Sequence, residues 1–337
     1  MRPSVCYSNF LFLLDPDAKV LQTTMASIAD DGNNTTIQEF FCGHGINEFH
    51  QKIYFSAFNI VTCITAFLGN FVIINALEKV SSLHSPSKRL FQSLASTDLC
   101  VGLLTQPLYI YSTLMPPWPA DSEGCFYTLT YSGFPLHVTG FAFCNVSLLT
   151  TTAISVDRLL ALFMGIKYRR VVTLTRVHVF IVFSWLFAFS IGLSSYFYTL
   201  RVTISLSCFI ALLCVVTSTI CYMKIYLKLW IHRATVHNQQ NKLAGKGIPI
   251  NVARYRKTVS NALWVQSTLF VCYLPYGILT VKYLFTGVDL KSDPAWHATL
   301  CLVFLNSSLN PFLYCWRMRE ARQAVKVLAR KCWCFAN

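Results

Sequence analysis

Seven stretches of about 20 or more largely apolar residues recur along this chain, each long enough to cross the roughly 30 Å hydrocarbon core of a bilayer. They cover residues 53–77, 90–113, 135–163, 177–196, 199–229, 258–285 and 297–315. In lipid every backbone N–H and C=O needs an internal partner, so segments of this length are predicted to be helices. A 337-residue chain that is 54% hydrophobic and 12% charged is also too apolar for a soluble domain of that size. The expected fold class is an all-α membrane protein, a seven-transmembrane helix bundle with a short amphipathic eighth helix. Three regions follow: an N-terminal segment at 1–52, a membrane domain at 53–315 and an amphipathic helix with a short tail at 316–337. Before the first span the apolar patch at 10–14 is shorter than a signal-peptide core. Export is therefore expected of the first span, or of a chain starting at Met25.

Charge gives an orientation. With the N-terminus outside, all but six of the 28 Lys and Arg fall on the inner side, the exceptions being Arg2, Lys19, Lys52, Arg201, Lys282 and Lys291. Of the acids, Glu78, Asp157 and Glu320 fall inside and Asp98 falls within the membrane. The positive-inside rule thus predicts a multi-pass plasma-membrane protein, N-terminus extracellular and C-terminus cytoplasmic. The +14 net charge is mostly this asymmetry. Membrane lipid is the partner it implies, and nucleic acid is not.

Nine of the 14 cysteines lie in the spans, where cysteine serves as a small apolar filler, and no paired spacing suggests zinc. Cys42 and Cys125 are the outer cysteines nearest the bundle and are expected to form a disulfide, leaving Cys6 over. Asn33-Asn34-Thr35-Thr36 holds two overlapping glycosylation acceptors, Asn33 and Asn34, in a polar outer segment. After the seventh span, Ala321, Val325 and Leu328 share one helical face, with Arg319, Arg322, Lys326 and Arg330 elsewhere. Such a helix lies along the inner leaflet, and Cys332 and Cys334 at its end are candidate palmitoylation sites.

Polar residues inside the spans carry the functional argument. Asp98 is the acid of the span cores, and burying an unpaired carboxylate is costly. It needs a cation, a proton or donors; Ser147, Asn306, Ser307 and Asn310 are placed to supply oxygens. A protonated packing anchor is the other reading. Asn310-Pro311-Phe312-Leu313-Tyr314 kinks the last span, since proline removes one helix hydrogen bond and leaves a carbonyl that lipid cannot satisfy. Clustering polar groups around such a kink points to a moving or ion-linked element.

These residues resemble the motifs of the rhodopsin-like (class A) G-protein-coupled receptors, over about residues 53 to 334. Gly69-Asn70 is similar to the family's first-helix pair and Leu94-Ala95-Ser96-Thr97-Asp98 to its second-helix acid motif. Ser155-Val156-Asp157-Arg158-Leu159 resembles the Asp-Arg-Tyr motif, Trp185 the fourth-helix tryptophan, Cys272-Tyr273-Leu274-Pro275 the Cys-Trp-x-Pro switch, and Asn310 to Tyr314 the seventh-helix motif. Six in order, each on its proper helix, make the likeness specific. The resemblance implies a receptor, not an enzyme, that takes an extracellular ligand and activates a heterotrimeric G protein as helix six swings outward about Pro275. Asp157 would hold Arg158 at rest, Ile166 would seat in the G protein, and Tyr222 and Tyr314 would turn in on activation. Asp98, Ser147, Asn306 and Asn310 resemble a sodium pocket; no organic cofactor is implied.

The departures narrow the ligand. Tyr273 replaces the toggle tryptophan, Cys214 the fifth-helix proline and Gly133 the third-helix cysteine. The second outer loop is short and free of cysteine, as in the melanocortin, cannabinoid, lysophospholipid and adenosine branch. The amine-binding acid is replaced by Gly140, the retinal lysine by Phe304 and the adenosine-binding asparagine by Thr280. With His137, Phe141, Cys144 and Tyr276 these positions form a candidate pocket, aromatic and nearly uncharged, that favours a small neutral or lipophilic ligand. Where many relatives have an acid at the base of helix six, this chain has Tyr255 between Arg254 and Arg256. A seven-span metal hydrolase would need histidines or acids converging at one depth, and His137, His178 and His297 do not converge. A transporter would show an internal repeat, which is not found.

Overall fold

The computed structural model describes residues 49–80, 84–114, 133–198, 200–242, 252–286, 294–317, 322–323 and 325–327. Asn33, Asn34, Cys42, Cys125, Cys332 and Cys334 lie outside the described residues.

Seven helical crossings form. They are α1 (Phe49–Lys79), α2 (85–114), α3 (Phe134–Met164), α4 (Leu174–Phe197), α5 (Leu200–Lys242), α6 (Val252–Thr286) and α7 (Pro294–Arg317). The apolar stretches predicted these, and six of the seven are single helices long and apolar enough to span a membrane. The exception is α2, which runs Ser85–Cys100, a π-helical turn Val101–Thr105 and then Gln106–Leu114. Pro107 explains the π turn: its missing N–H and its ring disrupt the preceding α-helical ladder, and a wider turn relieves the clash. The Gln106 N–H reaches back to the Val101 carbonyl, and the Cys63 thiol of α1 donates to the Gly102 carbonyl at 3.0 Å. Helix α3 opens after Gly133 with proline in its first turn; it closes at Gly165, whose φ of 49° suits glycine. At 43 residues α5 is about 65 Å long, so its inner end extends well past the bilayer.

Helix α3 sits centrally against α2, α4 and α5, while α1 packs on α2 and α7, and α6 fits between α5 and α7. Small residues set the closest approaches, as van der Waals packing in lipid favours. A Cβ on Gly192 of α4 would lie 2.5 Å from the Val138 carbonyl oxygen of α3, and one on Gly69 of α1 would lie 2.8 Å from the Pro311 ring of α7. Between α1, α2 and α7 runs a buried polar seam. Asn59 donates to the Cys301 thiol at 3.0 Å, Gln106 to the Thr62 hydroxyl at 2.8 Å, Ser308 to the Thr62 carbonyl at 2.8 Å and Asn70 to the Ser307 carbonyl at 3.0 Å. Interhelical hydrogen bonds of this kind join helices that have no hydrophobic reason to associate in lipid.

Gly69→Ala should therefore melt below wild type. Overpacking costs about 1–3 kcal/mol, against a helix-propensity gain of about 0.5–1 kcal/mol. Gly277→Ala, where an added Cβ meets no atom within 4 Å, should melt at or above wild type. Thermal unfolding of the purified proteins separates the two; equal melting would refute the close α1–α7 contact.

Candidate functional site

The outer halves of the helices enclose a cavity of about 950 Å³, walled overwhelmingly by apolar and aromatic side chains. His137, Gly140, Phe141, Cys144, Tyr276, Thr280 and Phe304, placed on the ligand side from sequence, all lie in its wall. Aromatic contacts stiffen it: His137 stacks on Phe141 at 5.8 Å, Tyr276 meets Trp296 at 5.2 Å and Tyr109 meets Phe304 at 5.5 Å. Several polar groups are already engaged. The Thr280 hydroxyl donates to the Tyr276 carbonyl at 2.7 Å, and the Tyr109 hydroxyl lies 2.8 Å from His297 Nδ1. Among the described wall residues, Lys52 alone carries a full charge.

Two polar atoms stand out. The Asn145 amide donates to the Phe141 carbonyl at 2.8 Å and the Ser207 hydroxyl at 3.1 Å, leaving Oδ1 buried with no partner among the described residues. Thr105 Oγ1 is in the same condition. Both residues line the cavity, and sequence reasoning passed over both. For Asn145 a signal existed: it follows His137 and Phe141 at successive intervals of four, on one face of α3.

Beneath the cavity floor lies Asp98, fully buried. Asn310 Nδ2 donates to Asp98 Oδ2 at 2.6 Å, and Oδ1 has no partner among the described residues. Ser307 borders the carboxylate, and Ser147 and Asn306 are buried on α3 and α7. Tyr273 lines the cavity, and its phenol interacts with Ser147, Cys144 and Asp98. It is therefore both floor of the cavity and roof of the acid site. An orphaned carboxylate oxygen among hydroxyl and amide groups is a hard-oxygen set that fits a small hard cation. No group of three or more His, Cys, Asp or Glu able to hold a metal occurs among the described residues.

At the inner end Arg158 Nη2 lies 3.5 Å from Asp157 Oδ2 and stays about one-third exposed. Asp157 has two further partners that the sequence reading missed. Tyr168, on the short helix after α3, donates to Oδ1 at 2.6 Å, and Ser87 of α2 donates to Oδ2 at 2.9 Å. The Arg158 guanidinium also rests over the Phe91 ring at 5.4 Å, and Tyr314 meets the same ring edge-on at 5.6 Å. Tyr222 packs with Ile225 against Leu159 and Leu162. Pro275 lies within an uninterrupted α6. Ile166, on the 3₁₀ turn before Tyr168, is 96% exposed, an apolar side chain presented outward where the resemblance implied a docking plug.

An outer cavity above a buried acid, over a salt-bridged arginine at the inner mouth of seven helices, is the architecture of a membrane receptor. The sequence matches the family described as 7 transmembrane receptor (rhodopsin family) over residues 69–205 and 197–314, and the chain belongs to it. It is a multi-pass plasma-membrane receptor that binds an extracellular ligand and signals through G proteins. Relatives include mouse adenosine receptor A2b, 24% identical over 321 residues that cover 85% of this chain and 93% of the relative. Human adenosine receptor A2a is 24% identical over 307 residues, 80% of this chain and 71% of the relative. Rat trace amine-associated receptor 4 is 25% identical over 283 residues, 74% of this chain and 78% of the relative.

Tyr168→Phe removes one hydrogen bond to the buried Asp157 carboxylate, worth about 1.5–3 kcal/mol. Ligand-free nucleotide exchange should rise several-fold at equal surface expression, and Ser87→Ala should raise it in the same direction. Unchanged exchange in both variants would show that Arg158 alone holds Asp157.

Proposed function

We propose that this receptor responds to a small, neutral, lipophilic ligand, and that a sodium ion at Asp98 favours its resting state. The carrying observation is the apolar cavity, whose single described full charge is Lys52 and whose wall includes Asn145, with Oδ1 lacking a partner among the described residues. Adenosine does not follow from the adenosine-receptor relatives. Thr280 stands where their purine-binding asparagine is expected, and its hydroxyl is bonded to its own helix. Amines do not follow from the trace-amine relative, because Gly140 replaces the acid an amine would need.

Lys and Arg asymmetry supports an extracellular N-terminus and a cytoplasmic C-terminus. In that orientation Asn33 and Asn34 are the glycan acceptors, Cys42 pairs with Cys125 in the oxidising compartment, and Cys332 and Cys334 are the palmitoylation sites. An eighth helix at the inner leaflet is supported by Arg322, which donates to the Cys315 and Trp316 carbonyls at 2.9 Å each, and by Val325 packing on the inner core. The exposed Ile166 is the proposed anchor for the G protein.

Ligand-stimulated nucleotide exchange on a co-expressed G protein, screened with neutral lipids, purines, amines and short peptides, tests this reading. Neutral lipids should activate; a response confined to charged amines or peptides would overturn it. Asp98→Asn should abolish the sodium dependence of agonist affinity, and unchanged dependence would remove the ion from the account. Because the sequence puts Arg254 and Arg256, rather than an acid, where many family members pair an acid with the third-helix arginine, like-charge repulsion of about 1 kcal/mol should shift the resting equilibrium roughly fivefold toward activity. Tyr255→Glu should lower ligand-free exchange, and a silent unliganded receptor would contradict the repulsion.

A further inference from the structure

The cavity continues to the outside of the bundle between α5 and α6. Its wall there includes Phe209 and Leu212 on α5 and Leu274 and Ile278 on α6. All four are more than half exposed, on faces that a membrane helix turns to lipid. Toward the outer surface the two helices are joined in one packed cluster through Ile204 and Tyr283, and toward the inner surface in another through Cys214 and Leu269. Gly277 lies between these two seals, and a side chain built on it would find no atom within 4 Å. Inward of the gap is Asn145. Its nitrogen must face the Phe141 carbonyl, which can only accept, so the free Oδ1 is an acceptor with a fixed assignment.

We propose that the gap at Gly277 is a lateral portal by which a neutral single-chain amphiphile passes from the outer leaflet into the cavity. Its head, bearing an O–H or N–H donor, would bond to Asn145 Oδ1. This rests on the reading of the cavity as the ligand site and on an extracellular N-terminus. A long alkyl chain concentrates in the bilayer, so the membrane presents such a molecule at far higher local concentration than water does. The rim formed by Phe209, Leu212, Leu274 and Ile278 is wholly apolar and exacts no desolvation of charge. A neutral head is required because the acceptor at the end of the passage is an uncharged amide oxygen.

The test uses the full-length receptor in nanodiscs whose lipid contains a monoacylglycerol with a photoreactive diazirine in its chain. Adducts on residues 137–148 of α3 are mapped by mass spectrometry after timed irradiation. Wild type and Gly277→Ala should label at the same rate. Gly277→Trp, whose ring fills the gap, should slow labelling about tenfold, and Leu212→Trp should slow it from the facing helix should Gly277→Trp fail to fold. Equal rates in the plugged variants overturn the portal; if Gly140→Trp, which fills the cavity itself, still abolishes labelling, the cavity remains the ligand site. Absence of α3 adducts in wild type overturns both the portal and the lipophilic-ligand reading.

Discussion

The hydrogen bond from Asn70 of α1 to the Ser307 carbonyl of α7, 3.0 Å long, is the contact on which the rest of the bundle depends. Pro311 has no N–H, so the carbonyl four residues before it loses its helix partner. In hydrocarbon no water replaces that donor, and an unsatisfied backbone group there costs several kcal/mol. Asn70 supplies it from another helix, and its second bond, to the Ala66 carbonyl at 2.9 Å, holds the side chain in place. Gly69 lets the Pro311 ring come close enough for this to work. Gly69, Asn70 and Pro311 are thus one device, split between the two ends of the chain.

Its consequence reaches the candidate site. At this turn α7 is held by α1, and the residue before the proline, Asn310, turns its amide to Asp98. The carboxylate is left with one oxygen bonded and one open, beneath a tyrosine that also forms the cavity floor. A ligand pressing on Tyr273 and a cation at Asp98 would therefore act on the same few atoms. In a low-dielectric interior such a network has few satisfied arrangements, so it favours discrete states over gradual deformation. The inner end follows the same logic, with Asp157 shared among Arg158, Tyr168 and Ser87.

Much of this was legible in the sequence because membrane physics writes it there: the apolar lengths, the lone intramembrane acid and the proline inside the seventh span each narrow what the chain can do. The candidate pocket was legible as positions on helix faces. Hidden features were of two kinds. The π turn at Val101–Thr105 depends on how α2 accommodates Pro107 against α1, which no local pattern encodes. Ser87 and Tyr168 reach Asp157 from other elements, and residues so ordinary at those spacings carry no signal until the helices are packed. Asn145 was missed differently: its helical phase with His137 and Phe141 marked that face of α3, but one amide within an apolar span carries no signal by itself.

A double-mutant cycle on Asn70 and Pro311, read by thermal unfolding of the purified receptor, tests the central contact most directly. Pro311→Ala restores an N–H that can bond the Ser307 carbonyl within α7. Asn70→Ala should then lower the melting temperature clearly in the proline-containing protein and much less in the Pro311→Ala background. Equal losses in both backgrounds would contradict the account, because they would mean that Asn70 does not serve the carbonyl that Pro311 leaves open.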